Sequence, residues 1–367
     1  MFKSFFFKKP KKSNLPQQEF KNILVWSSMG IGNMVNFLPM LRALRERYPL
    51  AKITLLSWSD PSVFELVEKN IYSEIKFINK KSKISLILNF IFLLFNTYDL
   101  FIVKWHRNIW IARFIKACKN SYVVGHISSA GHKCDYDDLI DHKVKLIHEK
   151  SDKYQYLNLI NDLLIKKADY EEYLTISPNA TSKITKLFHE NNLTEEDFLI
   201  GFHLDVGAAQ PYKQIGFEKW LDIINGIQKE APDAKFIFLG LKDDIVANKI
   251  INEIANDIKI YSFLGKLNIL ETTACISKLR LIVGVDSSLK TIASALKVKS
   301  VVPYGCTDPS RSAPPESEIV VVRPEPEQSP CEVFGPIDPN KCSHQSCINR
   351  ISANAIVSAT MNIVNNY

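Results

Sequence analysis

Residues 22 to 56 read NILVWSSMGIGNMVNFLPMLRALRERYPLAKITLL, and the order of patterns within them decides the fold. Asn22 to Trp26 is a short apolar run bounded by polar residues, which reads as a strand. Gly30 and Gly32 follow in a turn. Val35, Leu38, Leu41 and Leu44 then recur at spacing three, with Tyr48 continuing the face at spacing four, and this predicts a helix over about Met34 to Tyr48. Ile53 to Ser57 is a second apolar run. Strand, glycine turn, helix and strand in series open an α/β unit.

Further strands are predicted at Ile75 to Ile78, Leu100 to Lys104 and Ser121 to Val124, with helical stretches between them. A polar segment near Ser177 to Asn192 reads as a helix and linker into a second unit. That unit alternates strands at Phe198 to His203, Lys235 to Leu239, Lys259 to Phe263, Leu281 to Gly284 and Ser300 to Tyr304. Helices are expected between them at Gly216 to Glu230, Asp244 to Asn256, Leu270 to Lys278 and Ser287 to Leu296. Two units with the same opening predict twin Rossmann-like domains. A final helix, Ser352 to Asn362, is expected to pack back onto the first of them. Ile84 to Phe95 (ISLILNFIFLLF) is only 12 residues long and contains Ser85 and Asn89, whereas a membrane span needs about 20 residues. It is predicted to be a buried helix.

Composition sets the outer limits. A chain of 367 residues, at about 150 per domain, suggests two domains. Apolar residues at 46% and charged residues at 23% are globular usage. Of the formal +7, Met1 to Asn22 carries +5, from Lys3, Lys8, Lys9, Lys11, Lys12 and Lys21 against Glu19. The body is nearly neutral in sum, which argues against a nucleic-acid partner, whose binder would spread its charge over a folded patch. Phe2, Phe5, Phe6 and Phe7 interleave with the tail lysines, a composition suited to the anionic inner face of a membrane. It suits a disordered solubilising tail equally well. No apolar run of signal-peptide length follows, so the expectation is a cytoplasmic chain, peripheral on the inner membrane if the tail docks. Seven cysteines, an odd count, are expected as reduced thiols. Cys331, Cys342, His344 and Cys347 cluster without a C-x-x-C pair, and free thiols are expected there rather than a metal.

Two segments carry candidate chemistry. Glycines at 30 and 32 let a backbone approach a ligand closely at a helix N-terminus. Their spacing is not a dinucleotide fingerprint, and alone they read as a tight strand-to-helix turn. Asp286-Ser287-Ser288 ends a strand and opens a helix, so backbone N–H groups and hydroxyls are available to a phosphate. Asp286 also reads as a helix N-cap.

In order along residues 20 to 350, these pieces resemble glycosyltransferase family 9. The first loop and helix match with Pro39, Leu41, Arg42, Ala43, Leu44 and Pro49, and Tyr98-Asp99-Leu100 matches a later strand entry. Gly207 followed by Lys213, Phe236 to Gly240 with Asp243 and Asp244 beyond, Leu264-Gly265, Gly284 to Ser288, and Tyr304 to Pro309 complete the set. The resemblance implies an α/β GT-B fold, two Rossmann-like domains facing across a cleft. The tail would be 1–20, the acceptor-binding domain 21–178, the nucleotide-sugar domain 195–350 and a C-terminal helix 351–367. It implies inverting transfer of a heptose-like sugar from an ADP-heptose-like donor to a lipopolysaccharide or lipooligosaccharide core, a glycolipid acceptor, with no cofactor and no metal.

Lys213 would meet the diphosphate as the nucleotide leaves, with Asp286, Ser287, Ser288 and Thr291 around it, and Asp243 or Asp244 would accept from the ribose. Gly30 and Gly32 would border the acceptor, and His106 and Arg107, beside Lys104 and Trp105, would contact an acidic acceptor. Two positions depart from the family pattern. Its proposed base, an acid, is Asn33 here, and an amide takes no proton at neutral pH. Its usual histidine, five residues after the phosphate-motif Asp, is Thr291. Ala208-Ala209 replace small hydroxyl residues. A GT-B nucleotide-sugar epimerase and a catalytically lapsed binding or assembly protein remain as alternatives.

Overall fold

The computed structural model describes residues 15–366 apart from 16, 28, 80, 106–108, 119, 129–133, 148–149, 165–173, 207–209, 255–257, 315–317 and 325–345. The chain divides into two compact units, Met1–Glu172 and Tyr173–Tyr367. In the first, β1 (Asn22–Trp26), α1 (Ile31–Arg47), β2 (Lys52–Ser57), β3 (Glu74–Phe77), α2 (Lys83–Phe95), β4 (Leu100–Val103), α3 (Ile109–Ala117), β5 (Tyr122–His126), β6 (His142–Val144) and α4 (Asp152–Ile160) follow in order. In the second come α5 (Pro178–Glu190), β7 (Leu199–His203), α6 (Phe217–Glu230), β8 (Lys235–Phe238), α7 (Ile245–Glu253), β9 (Ile260–Ser262), α8 (Ile269–Ile276) and β10 (Leu281–Gly284). They are followed by α9 (Ser288–Ala295), β11 (Lys299–Pro303), α10 (Pro309–Ser312), β12 (Ile319–Val322), α11 (Ser346–Asn349) and α12 (Ala353–Val364).

Each unit holds one parallel sheet of six strands. The orders are β3-β2-β1-β4-β5-β6 and β12-β11-β10-β7-β8-β9. Read from its other edge and renumbered from β7, the second repeats the first, and both follow the doubly wound 3-2-1-4-5-6 pattern. The fold is the two-domain α/β GT-B class. The strand order reverses between β1 and β4 in one unit and between β7 and β10 in the other, paired as Trp26 with Val103 and Gly284 with His203. Central strands are buried throughout, with Leu24, Trp26, Phe101 and Val103 in the first core and Ile200, Phe202, Phe236 and Val283 in the second. Continuous apolar strands are what helices on both faces require.

Polar residues fix the elements that carry the site. Asp99 accepts from the Lys21 and Asn22 N–H groups at 2.8 and 2.9 Å, which sets the entry of β1. Arg42, buried on α1, donates to Glu68 at 2.9 Å. Arg45 closes the end of the same helix by donating to the Tyr48, Pro49 and Ala51 carbonyls.

Three expectations need correction. The final helix α12 packs on α6 and β11, so its cover comes from inside the second unit. Gly226 makes this possible, since a Cβ there would lie 2.8 Å from Val357. The Ile84 to Phe95 segment is helical but not buried, because α3 covers only one flank of α2. Of α2's side chains only Leu86 and Leu93 are buried. Lastly, β6 and β12 lie beyond the predicted strands. The first is a three-residue edge strand with a lysine at its centre, whereas Ile319-Val320-Val321-Val322 carries a plain β signal. Among the described residues no helix is long and apolar enough to cross a membrane.

Gly284 holds β7 and β10 together where the order reverses. A Cβ there would sit 2.6 Å from the His203 carbonyl oxygen, which is backbone and does not give way. Gly284→Ala is therefore expected to cost about 1–3 kcal/mol of stability, as overpacking does, measured by urea unfolding. An unchanged midpoint would show that the strands have room to part.

Candidate active site

Open parallel sheets bind ligands beyond the carboxyl ends of their strands, where the strand order reverses. In the second unit that edge carries a buried charge cluster. Asp286, two residues past β10 and only 4% exposed, accepts from Lys213 Nζ at 2.7 Å through Oδ2 and from Lys290 Nζ at 2.8 Å through Oδ1. Thr307 Oγ1, beyond β11, donates to the same Oδ2 at 3.1 Å. Burial by itself would raise the Asp286 carboxyl, but the Lys290 and Lys213 ammonium groups outweigh it and hold the group well below the usual carboxylate range. Two cations on one anion leave a surplus positive charge among largely buried groups.

Local structure fixes each member. Lys213 ends the short 3₁₀ turn Pro211–Lys213, whose next residue, Gln214, donates through Nε2 to the Leu204 and Ile215 carbonyls at 2.8 and 3.1 Å. Lys290 lies in the first turn of α9, four residues after Asp286. Ser287, not Asp286, is the N-cap of α9, accepting from Leu289 N–H at 3.3 Å. That leaves the Asp286 carboxylate to the lysines. Ser288 begins the helix, and Thr291 is buried within it.

A second carboxylate lies after β8. Asp244 caps α7, with Oδ1 accepting from Ala247 N–H at 2.9 Å. Its Oδ2 is buried without a partner among the described residues. Burial pushes this carboxyl up, and the nearby Asp205 carboxylate adds to the shift. His203, at the end of β7, donates through Nδ1 to the Leu239 carbonyl at 3.0 Å, and burial lowers its imidazole. A Cβ on Gly240 would lie 3.5 Å from Asp244 Oδ2 and 3.7 Å from His203 Nδ1, so the three surround one point. Asp243 is exposed in the turn.

In the first unit the corresponding edge joins β1 to β4. Gly30 is the N-cap of α1 and offers no side-chain cap, and a Cβ there would meet nothing within 4 Å. Gly32 and Asn33 occupy the first turn, with Asn33 exposed. Lys104 follows β4 and is 7% exposed. Its Nζ stands 6.0 Å from the Tyr156 ring centroid on α4. Burial pushes this ammonium down to about 8 against the opposing pull of Asp152. Trp105 N–H donates to His126 Nδ1 at 3.1 Å. Burial takes that imidazole down to about 3, with the Lys104 charge a further cause. His106, Arg107, Gly207, Cys331, Cys342 and His344 lie outside the described residues, and Cys347 is a buried free thiol.

The structure thus brings Lys213, Asp286, Ser287 and Ser288 together. It adds Lys290, which sequence reasoning missed although its i, i+4 spacing from Asp286 is the usual sign of a helical ion pair. It also distinguishes Asp244 from Asp243.

Lys104 yields a prediction with a definite sign. Its folded-state value, about 8, lies below the unfolded value of about 10.4. Between these pH values the unfolded chain binds more protons, so the native state gains stability as pH rises. Lys104→Met should therefore be more stable than the parent below pH 8, by on the order of 1–3 kcal/mol, with the gap closing toward about pH 10. A variant that is no more stable at pH 7 would contradict a buried ammonium.

The sequence model of glycosyltransferase family 9 (heptosyltransferase) matches residues 146–339. No curated protein matches. Among solved structures, a family 9 glycosyl transferase from Veillonella parvula DSM 2008 superposes with a TM-score of 0.77 at 17% identity, covering 95% of this chain and 99% of its own. E. coli ADP-heptose lps heptosyltransferase II gives 0.70 at 17% identity, covering 94% and 99%. E. coli heptosyltransferase WaaC with ADP gives 0.65 at 13%, covering 93% and 99%.

Proposed function

Because the chain belongs to glycosyltransferase family 9, and is a glycosyltransferase, we propose that it transfers a heptose-like sugar from an ADP-heptose-like donor. The acceptor we propose is a lipopolysaccharide or lipooligosaccharide core, a glycolipid reached at the inner face of the membrane. The observation that carries the donor reading is the Lys213–Asp286–Lys290 cluster at the reversal point of the second sheet. Its surplus cation suits a diphosphate. Of two E. coli heptosyltransferases with this fold, one is named an ADP-heptose lps heptosyltransferase and the other is seen with ADP, which favours ADP as the nucleotide.

In this reading the acceptor hydroxyl oxygen attacks the anomeric carbon with inversion. The bond from that carbon to the diphosphate oxygen breaks, and its electron pair leaves with the nucleotide. The Lys213 and Lys290 ammonium groups then stabilise the growing negative charge, as preorganised donors do. Ser287 and Ser288, at the N-terminus of α9, add hydroxyl and backbone donors to the same phosphates. The orphaned Oδ2 of Asp244 is placed to accept from a sugar hydroxyl of the nucleotide, which would satisfy it; Asp243, exposed, is the weaker choice. On the acceptor side, Gly30 leaves space for a ligand at the N-terminus of α1, Gly32 in its first turn borders the same space in this reading, and Lys104 supplies a cation for an acidic acceptor. His106 and Arg107 are proposed partners for the same charge. Asn33 orients the hydroxyl, and the proton passes to another group or to the substrate itself.

A thermal-shift screen of purified protein with ADP, UDP, GDP and CDP, followed by transfer assays with ADP-heptose, tests the proposal. ADP should stabilise the protein most, and product should require acceptor. Sugar isomerisation without acceptor would make the protein an epimerase, and binding without turnover a lapsed enzyme. Lys213→Ala should lose about 2–4 kcal/mol of transition-state stabilisation in kcat/KM; an unchanged rate would remove it from the phosphate site. Asn33→Asp should lose rate, because the loop otherwise keeps the family's form around a neutral amide. A gain of about a hundredfold, the scale of general-base catalysis, would show instead that the native protein lacks a base.

A further inference from the structure

We propose that the α2–α3 face of the first unit is a docking surface for an anionic phospholipid bilayer. Ile84, Ile87, Leu88, Ile91, Leu94 and Phe95 are all exposed on α2, with Ile84 at 71%, Leu88 at 60% and Phe95 at 85%. At 100° per residue these six fall within an arc of about 120° along a helix about 20 Å long. A continuous apolar stripe left in water on a globular protein marks a place where something else covers it. On its other flank α2 meets α3. Between the two helices lies a hollow of about 390 Å³ lined by Ile87, Phe90, Trp110, Arg113 and Lys116. The Arg113 guanidinium stands over the Trp110 ring, 4.3 Å from its centroid.

Charge identifies the occupant. Residues 75 to 134 contain ten lysines and arginines and a single acid, Asp99. That carboxylate is occupied by the backbone at the entry of β1. Neither α2 nor α3 contains an acidic residue, while Lys83, Arg113 and Lys116 are exposed at the border of the apolar stripe. A second copy of this face would bring like charges together, so self-association is disfavoured. An anionic bilayer meets both requirements. Its acyl region accepts apolar side chains without positional matching, and its headgroups pair with the border cations. Trp110 and Arg113 combine an apolar body with a polar tip, as side chains at a membrane interface do. The proposal is independent of the donor's identity, and its readout is binding rather than turnover.

The test uses the full chain with its N-terminal tail intact, in co-sedimentation with vesicles of phosphatidylglycerol and phosphatidylethanolamine and with vesicles of phosphatidylcholine alone. The parent should partition to the anionic vesicles and be released by salt. Leu88→Ser with Phe95→Ser, and separately Arg113→Glu with Lys116→Glu, should each weaken partition at least tenfold. Thermal unfolding should be unchanged, since these side chains are exposed. Brominated phosphatidylglycerol should quench tryptophan fluorescence in the parent, and Trp110→Phe should remove most of that quenching. Partition unchanged in both double variants would put any membrane attachment elsewhere and overturn the proposal. A dimer in sedimentation equilibrium that dissociates in the serine variant, without vesicle binding by the parent, would assign the face to a second copy and overturn it as well.

Discussion

A carboxylate enclosed by two ammonium groups persists only when the surrounding structure fixes all three charges. Desolvating Asp286, Lys213 and Lys290 carries a cost that Coulomb attraction recovers only at hydrogen-bond distances. Here those distances are imposed by separate elements: the end of β10, the 3₁₀ turn after β7, the first turn of α9 and the segment after β11. Three of these follow adjacent parallel strands, β7, β10 and β11, whose carboxyl ends point the same way. The close contact at Gly284 sets the separation of β7 and β10, and hence how deeply Asp286 sits between the lysines. Much of the second unit can be understood as the means of holding one anion between two cations, with a positive charge left over for a ligand.

The sequence made some of this legible, and the reasons differ by element. β1 and β10 end where expected because each is an apolar run closed by small or polar residues. Helix ends are legible only where a capping residue marks them. Periodicity locates a helical face, but caps locate its ends, as Ser287 and Asp244 show. Neighbouring Asp243 and Asp244 are indistinguishable as letters, yet only one can cap α7 and become buried. Lys290 carries no motif signal of its own, since the family pattern marks the next position, Thr291. An apolar helix carries no sign of whether protein or something else covers it. The exposure of α2 therefore depends on which neighbours reach it, and periodicity does not contain that information.

The two units share a strand order and differ in how they treat charge. The second neutralises its lysines locally: Lys183 with Glu271, Lys235 with Asp197, Lys278 with Glu195 and Lys297 with Glu318. The first concentrates lysines and arginines across residues 75 to 134, where the one acid is Asp99 and only Lys76 pairs with a carboxylate among the described residues, Glu74. The near neutrality of the body as a whole is a cancellation between regions. A formal +9 over that stretch and +5 over the first 22 residues must be offset by −7 elsewhere to give the total of +7. Net charge alone conceals a strongly polarised molecule, and one whose association rates should respond to ionic strength.

The position of α12 has a consequence for biosynthesis. Ile356, Val357, Met361 and Ile363 complete the core around α6, although they follow every strand of the second sheet in the chain. The first unit is contiguous in sequence, so it can close while the ribosome is still adding the second. The second, by contrast, has all its strands translated before it receives the helix that covers α6. During that interval an apolar groove is open on the nascent chain, and it is there that a chaperone would bind or an aggregate would begin.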